Sequence, residues 1–196
     1  MTEKLEKWEK VMKERVAAFD IDGVLNNYPQ SWLDFINANN EFPIHDLRDA
    51  KKLLSYQRYK ELKQAYRKAG EQASVASEAS LVTAELKSLG FKIVLITLRP
   101  FELYDNLYKD TIHWLEDNKI TYDSVIGDKN KHIRILHEYP LLSFMVEDHR
   151  FIANLVAHWG YKVYLKENIY NIGYVEKGVI RIKRLREVLK NETSNL

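Results

Sequence analysis

The chain contains no cysteine. This excludes disulfides, thiolate zinc sites and a cysteine nucleophile, and it agrees with a cytoplasmic protein. An excess of one charge is lacking too. Thirty basic residues stand against 28 acidic ones, so the net charge of +2 creates no bulk field toward nucleic acid or an anionic membrane. No apolar run approaches the length of a membrane span, about 18 residues. The opening stretch MTEKLEKWEKVMKER is charged and has no apolar centre, so no signal peptide is expected there. Histidines 45, 113, 132, 137, 149 and 158 show no spacing that argues for zinc. Repeats and low-complexity tracts are absent. With 45% hydrophobic and 30% charged residues over 196 positions, the remaining description is one ordinary globular domain, alone or with a sizeable insertion.

What is present is an alternation. Residues 2–14 read as a polar helix with Leu5, Trp8 and Met12 on one stripe. The run RVAAFD (15–20) is the first expected strand. Residues 29–88 carry helical periodicity throughout, with Ser31 as an expected N-cap, one helix ending on Gly70 and another on Gly90. Then FKIVLIT (91–97), YDSVIG, LSFMVED (142–148), YKVYLK and GVIRI read as buried strands separated by helices of about ten residues. Strands alternating with helices predict an α/β fold, a doubly wound parallel sheet covered on both faces. In such a sheet, ligands bind beyond the carboxyl ends of the strands.

The polar residues fall at those ends. Asp20 and Asp22 follow the first strand in FDIDGVL, and i, i+2 side chains point to the same side. Two carboxylates held together make sense if a divalent cation offsets their repulsion, or if one is protonated while the other is not. An EF-hand loop is ruled out, because Val24 and Leu25 stand where it needs a ligand and a glycine. The second expected strand ends on Thr97, followed by Leu98, Arg99 and Pro100; the strand at 142–148 ends on Glu147 and Asp148. Lys129 and Lys131 lie between them, just before a helix.

FDIDGVL, ITLRP, the lysine segment and FMVEDH together resemble the four motifs of the haloacid dehalogenase superfamily of phosphohydrolases, in order, over residues 15 to 172. The long helical insertion, LITLRP, FMVEDH and the late Tyr170-Asn171 pair are similar to the 5′(3′)-deoxyribonucleotidase branch and related phage and bacterial phosphatases. The resemblance implies an α/β phosphatase core (1–25 and 91–196) with a helical cap (26–90) inserted after the first strand. It implies Asp20 as nucleophile and Asp22 as general acid/base. Thr97 would hold phosphoryl oxygens, and Lys131, or Lys129, would bridge nucleophile and phosphate. It further implies a Mg²⁺ site built on Asp20, Asp22, Asp148 and Glu147.

Phosphate monoester chemistry fits these assignments. A phosphate dianion approaches a carboxylate only where cations neutralise the site, and a second carboxylate can then move protons. Arg99, a planar donor fork, is a candidate phosphate contact. Tyr28 and Trp32, closest in sequence to the catalytic loop, are candidate base-stacking contacts; Lys60, Arg67 and Lys68 are further cap cations. The expected partner is a small phosphorylated substrate, a nucleoside monophosphate above others, and no membrane. Two alternatives are a phosphatase for polynucleotide 3′ ends, which needs an open basic groove, and a catalytically idle binding module on the same fold.

Overall fold

A computed structural model describes residues 15–70 and 73–193. The helix expected over 2–14 lies outside them. The described elements are β1 (Arg15–Phe19), α1 (Gln30–Ala38), α2 (Leu47–Leu53), α3 (Tyr56–Lys68), α4 (Ala79–Ser88), β2 (Phe91–Thr97), α5 (Leu107–Asp117), β3 (Ser124–Gly127), α6 (Lys131–Glu138), β4 (Leu142–Glu147), α7 (Arg150–His158), β5 (Val163–Lys166), β6 (Val179–Ile182) and α8 (Arg186–Thr193). All six expected strands are present. They form one parallel sheet in the order β3-β2-β1-β4-β5-β6. The fold class is therefore the one expected.

Alternation along the strands builds two cores. Ala17 and Phe19 of β1 face one layer, with Phe91, Ile93, Leu95, Phe144 and Tyr164. Val16 and Ala18 face the other, with Val94, Ile96, Met145, Val163 and Leu165. Because both faces are covered, the strands read as continuous apolar runs. Each of the Val, Leu, Ile, Phe and Met side chains among them contributes roughly 1.5–3 kcal/mol on burial. The chain winds outward from β1 through β2 to β3, then crosses back to β4 and winds the other way. The reversal lies between β1 and β4, so Asp20 and the Glu147-Asp148 pair emerge side by side.

The inserted helices carry a small core of their own, built on Trp32, Leu33, Ile36, Ile44, Ala50, Leu54 and Leu62. Leaving and returning segments are hydrogen-bonded to each other: the Asn27 amide donates to the Ser74 carbonyl at 2.9 Å, and the Ala76 amide to the Leu25 carbonyl at 2.8 Å. Helix α4 packs elsewhere. Its Ala79, Val82 and Leu86 join the body core, so the separately packed cap ends before α4 rather than at residue 90.

Two local expectations are corrected. Ser31 is no N-cap: α1 starts at Gln30, and the buried Ser31 hydroxyl lies 2.9 Å from that of Tyr66. The helix expected to run unbroken to Gly70 is two helices. Ser55 breaks it, because its hydroxyl accepts from the Arg58 amide at 3.1 Å and starts α3 afresh. No described helix is long and apolar enough to cross a membrane.

Candidate active site

The turn after β1 is held by its own residues. Asp20 continues the sheet, its amide donating to the Val146 carbonyl at 2.9 Å. Gly23 has φ of +79°, and a Cβ there would stand 2.0 Å from Asp148 Oδ2. Both the left-handed backbone and the close approach demand glycine. Asn26 locks the turn. Its Oδ1 accepts from the amides of Gly23 (3.0 Å) and Tyr28 (3.1 Å), and its Nδ2 donates to Asp22 Oδ1 at 2.9 Å. Sequence reasoning did not single out Asn26; an Asx-turn signal four residues after Asp22 was there to be found.

Lys131, not Lys129, enters the site. It opens α6, is fully buried, and places Nζ 2.6 Å from Asp20 Oδ2 and 2.7 Å from Glu147 Oε2. Lys129 is exposed in the preceding turn. The other oxygen of Glu147 accepts from the amides of Asp148 (3.1 Å) and His149 (2.8 Å), so this carboxylate holds Lys131 and the start of the next segment. Asp148 receives the Tyr170 hydroxyl on Oδ2, and Asn171 Nδ2 donates to the Asp148 carbonyl at 2.9 Å. The Tyr170-Asn171 pair thus positions Asp148. Thr97 is buried at the end of β2 and lines the same cleft.

Arg99 bonds to Asp22. Its Nε donates to Oδ2 at 3.0 Å and its Nη2 to Oδ1 at 2.7 Å, while Nη1 donates to Thr111 Oγ1 at 2.8 Å. Burial would raise the Asp22 carboxyl, but the guanidinium, with Asn26 and the more distant Lys63, holds it well below the usual carboxylate range. A correction follows for the metal set. Among the described residues, the carboxylates that converge are Asp20, Glu147 and Asp148, with ligand atoms within 4.8 Å of one another; the Asp22 carboxylate is turned to Arg99. Trp32 is corrected too. It is fully buried inside the cap core, against Phe35, Tyr59 and Tyr66, and does not line the cleft. Tyr28 does line it, with Tyr66 and Tyr170.

The cleft between cap and strand ends measures about 480 Å³. A neighbouring cavity of about 550 Å³ lies beyond Tyr28 and Tyr170 but contains none of the strand-end carboxylates. Asp20, Glu147 and Asp148 are three buried acids facing one lysine, a donor set of hard oxygens that suits a divalent cation such as Mg²⁺. Without one, burial pushes the Asp20 carboxyl up to about 8, against the pull of Lys131, and pushes Asp148 up as well.

The sign of the pH effect follows. Unfolded Asp20 titrates at 3.8, so between that pH and about 8 the folded protein holds more protons and its stability falls as pH rises. A cation that replaces the proton removes this loss. Mg²⁺ should therefore raise the melting temperature more at pH 8 than at pH 5.5, read by thermal denaturation with and without the ion. An equal or larger shift at pH 5.5 would contradict the buried acid cluster.

No family model matches the chain, and no curated protein matches it. Solved structures do. A D,D-heptose 1,7-bisphosphate phosphatase from B. bronchiseptica, complexed with magnesium and phosphate, is 12% identical with a TM-score of 0.60, over 93% of this chain and 99% of that one. A haloacid dehalogenase-like hydrolase from Streptococcus pneumoniae is 17% identical with a TM-score of 0.61, over 91% and 98%. A HAD-type hydrolase from Bacillus subtilis bound to magnesium is 11% identical with a TM-score of 0.64, again over 91% and 98%. At these identities the likeness is one of fold: the chain has the architecture of the haloacid dehalogenase-type hydrolases, along nearly the full length of each.

Proposed function

We propose that the chain is a Mg²⁺-dependent phosphate monoester hydrolase working through an aspartyl-phosphate intermediate, with nucleotides as substrates. The observation that carries the reading is the buried Asp20–Lys131–Glu147 cluster beside Asp148 and Thr97 at the switch point of the sheet. The shared fold, in one case with magnesium and phosphate bound, supports it.

Mg²⁺ held by Asp20 and Asp148 would supply positive charge that lets a phosphate dianion meet a carboxylate. An Asp20 oxygen attacks phosphorus, and the ester oxygen leaves. Lys131 and the Thr97 hydroxyl hold the equatorial oxygens, where charge accumulates. Asp22 gives the leaving oxygen its proton, then takes one from the water that cleaves the Asp20–phosphate bond and frees phosphate. Arg99 governs that exchange. Its grip keeps Asp22 ionised, which suits the base half of the cycle and opposes the acid half. Arriving phosphate oxygens compete for the same guanidinium and so release Asp22 to carry a proton. Glu147 acts as a positioning residue on Lys131, and the inserted cap ahead of α4 excludes water and reads the substrate.

The test is phosphate release with Mg²⁺ and with chelator, over nucleoside monophosphates and an aryl phosphate. Release that persists in chelator would refute the reading. Asp22→Asn should slow nucleotide hydrolysis by about 10²–10⁴-fold. It should slow an aryl phosphate much less, because that leaving group needs no proton. Equal losses on both would remove Asp22 from proton transfer.

A further inference from the structure

We propose that Asn26 is a positioning residue for proton transfer. Its side-chain amide keeps hold of Asp22 when the substrate draws Arg99 away, and so decides which Asp22 oxygen carries the proton. The proposal rests on the phosphomonoesterase reading and adds a residue to its proton step. Asn26 is buried, and its place is fixed from both sides. Its backbone pairs with Val75 on the segment returning from the cap. The Asn27 amide donates to the Ser74 carbonyl at 2.9 Å on one flank, and the Ala76 amide to the Leu25 carbonyl at 2.8 Å on the other.

The neighbours decide which way the amide is turned. Two backbone N–H groups, of Gly23 at 3.0 Å and Tyr28 at 3.1 Å, face one end of the side chain, and only an oxygen satisfies both. The NH2 end therefore faces Asp22 Oδ1, 2.9 Å away, and donates to it. Among the described residues the Asp22 carboxylate accepts three hydrogen bonds. Oδ1 accepts from Asn26 Nδ2 and from Arg99 Nη2, whereas Oδ2 accepts from Arg99 Nε alone. The two oxygens are unequal.

That inequality has a chemical consequence. A guanidinium is a cation and favours the ionised carboxylate, so Arg99 opposes the acid half of the cycle. A side-chain amide is neutral, and it donates to Oδ1 whether Oδ2 is bare or carries a proton. When phosphate oxygens draw the guanidinium away, Oδ2 loses its one bond while Oδ1 keeps Asn26. Oδ2 is then the oxygen that gives a proton to the leaving group and takes one from water, with the carboxyl group held by its other oxygen. Asn26 Oδ1 also accepts from the amide of Tyr28, which lines the cleft, so one side chain sets proton carrier and cleft wall together. Aspartate at this position keeps an acceptor for both backbone amides but opposes Asp22. Serine keeps a shorter, neutral acceptor that does not reach Asp22.

Phosphate release in Mg²⁺ from thymidine 5′-monophosphate and from 4-nitrophenyl phosphate tests this in Asn26→Asp and Asn26→Ser, each with and without Asp22→Asn. Both single variants should lower kcat for the nucleotide by roughly 10- to 100-fold with little change in KM, the scale of a misplaced catalytic group. The aryl phosphate, whose leaving group needs no proton, should lose less than about 3-fold. With Asp22→Asn already present, either change should cost less than about 3-fold, because residues that act as a unit are not additive. Equal losses on both substrates, or a full loss in the Asp22→Asn background, would overturn the proposal. So would a loss confined to Asn26→Asp, since its added charge would then explain it. Melting temperatures need no turnover. Asn26→Asp/Asp22→Asn exchanges donor and acceptor, restores the bond and should melt above Asn26→Asp; a double variant that melts no higher would also overturn the proposal. A restored melting temperature with no phosphate released by the wild type would sink the hydrolase reading and leave the hold of Asn26 on Asp22 in place.

Discussion

Asp20→Asn should abolish turnover, lowering kcat by at least about 10⁴-fold, the scale seen when a nucleophile is removed. The amide is nearly the same size as the carboxylate and stays within reach of Lys131, but it cannot form the acyl phosphate. The remaining ion pair, Lys131 to Glu147 at 2.7 Å, still compensates the buried lysine. Folding should therefore survive, with an unchanged circular dichroism spectrum and cooperative melting. Beryllium fluoride, which mimics a phosphoryl group on a carboxylate, should inhibit the wild type and fail to bind the variant. Substantial Mg²⁺-dependent turnover by a folded Asp20→Asn protein would remove Asp20 as nucleophile.

The parts of the site that could be read from sequence are those whose direction is set by a strand. β1, β2 and β4 are continuous apolar runs that stop on Asp20, Thr97 and Glu147-Asp148, and parallel strands deliver their last residues to one edge. Lys131 could be narrowed to two candidates because a helix start places one residue inward and leaves its neighbours in the turn. Contacts made across the fold were not legible. That Arg99 reaches Asp22, 77 residues away in sequence, depends on Thr111 of α5 anchoring the other end of the guanidinium.

The cap was hardest to read for the same reason. Trp32 is near the catalytic loop in sequence, yet helix α1 turns it away from the cleft and into the packing of α3. Lys63, which the sequence did not single out, lies near the rings of Tyr28, Trp32 and Tyr66, two of them from outside its own helix. The break between α2 and α3 did leave a local trace. Ser55 stands three residues before the Arg58 amide it caps, without a glycine or proline to announce it.

Lys131→Met should cost both the fold and the chemistry, and the two costs should respond differently to the solution. Methionine fills similar space but leaves Asp20, Glu147 and Asp148 facing one another in a buried site with no cation. Breaking a buried ion pair on one side costs about 3–5 kcal/mol, because the abandoned charge remains. That cost belongs to ionised carboxylates. It should be largest at pH 8 without metal, fade as the pH falls toward 5 and Asp20 and Asp148 take up protons, and shrink when Mg²⁺ is added. Activity should not recover with it, since Mg²⁺ cannot replace the amino group between nucleophile and phosphate; a fall on the order of 10²–10³-fold is expected from losing one transition-state donor. The double variant Lys131→Met/Glu147→Gln should melt above the single one at pH 8, because it removes an orphaned charge, and its stability should depart from the sum of the two single changes. Urea denaturation of the three variants at pH 5.5 and pH 8 reads all of this. If Lys131→Met is as stable as the wild type at pH 8 without Mg²⁺, Lys131 is not the counter-charge that holds the acid cluster together.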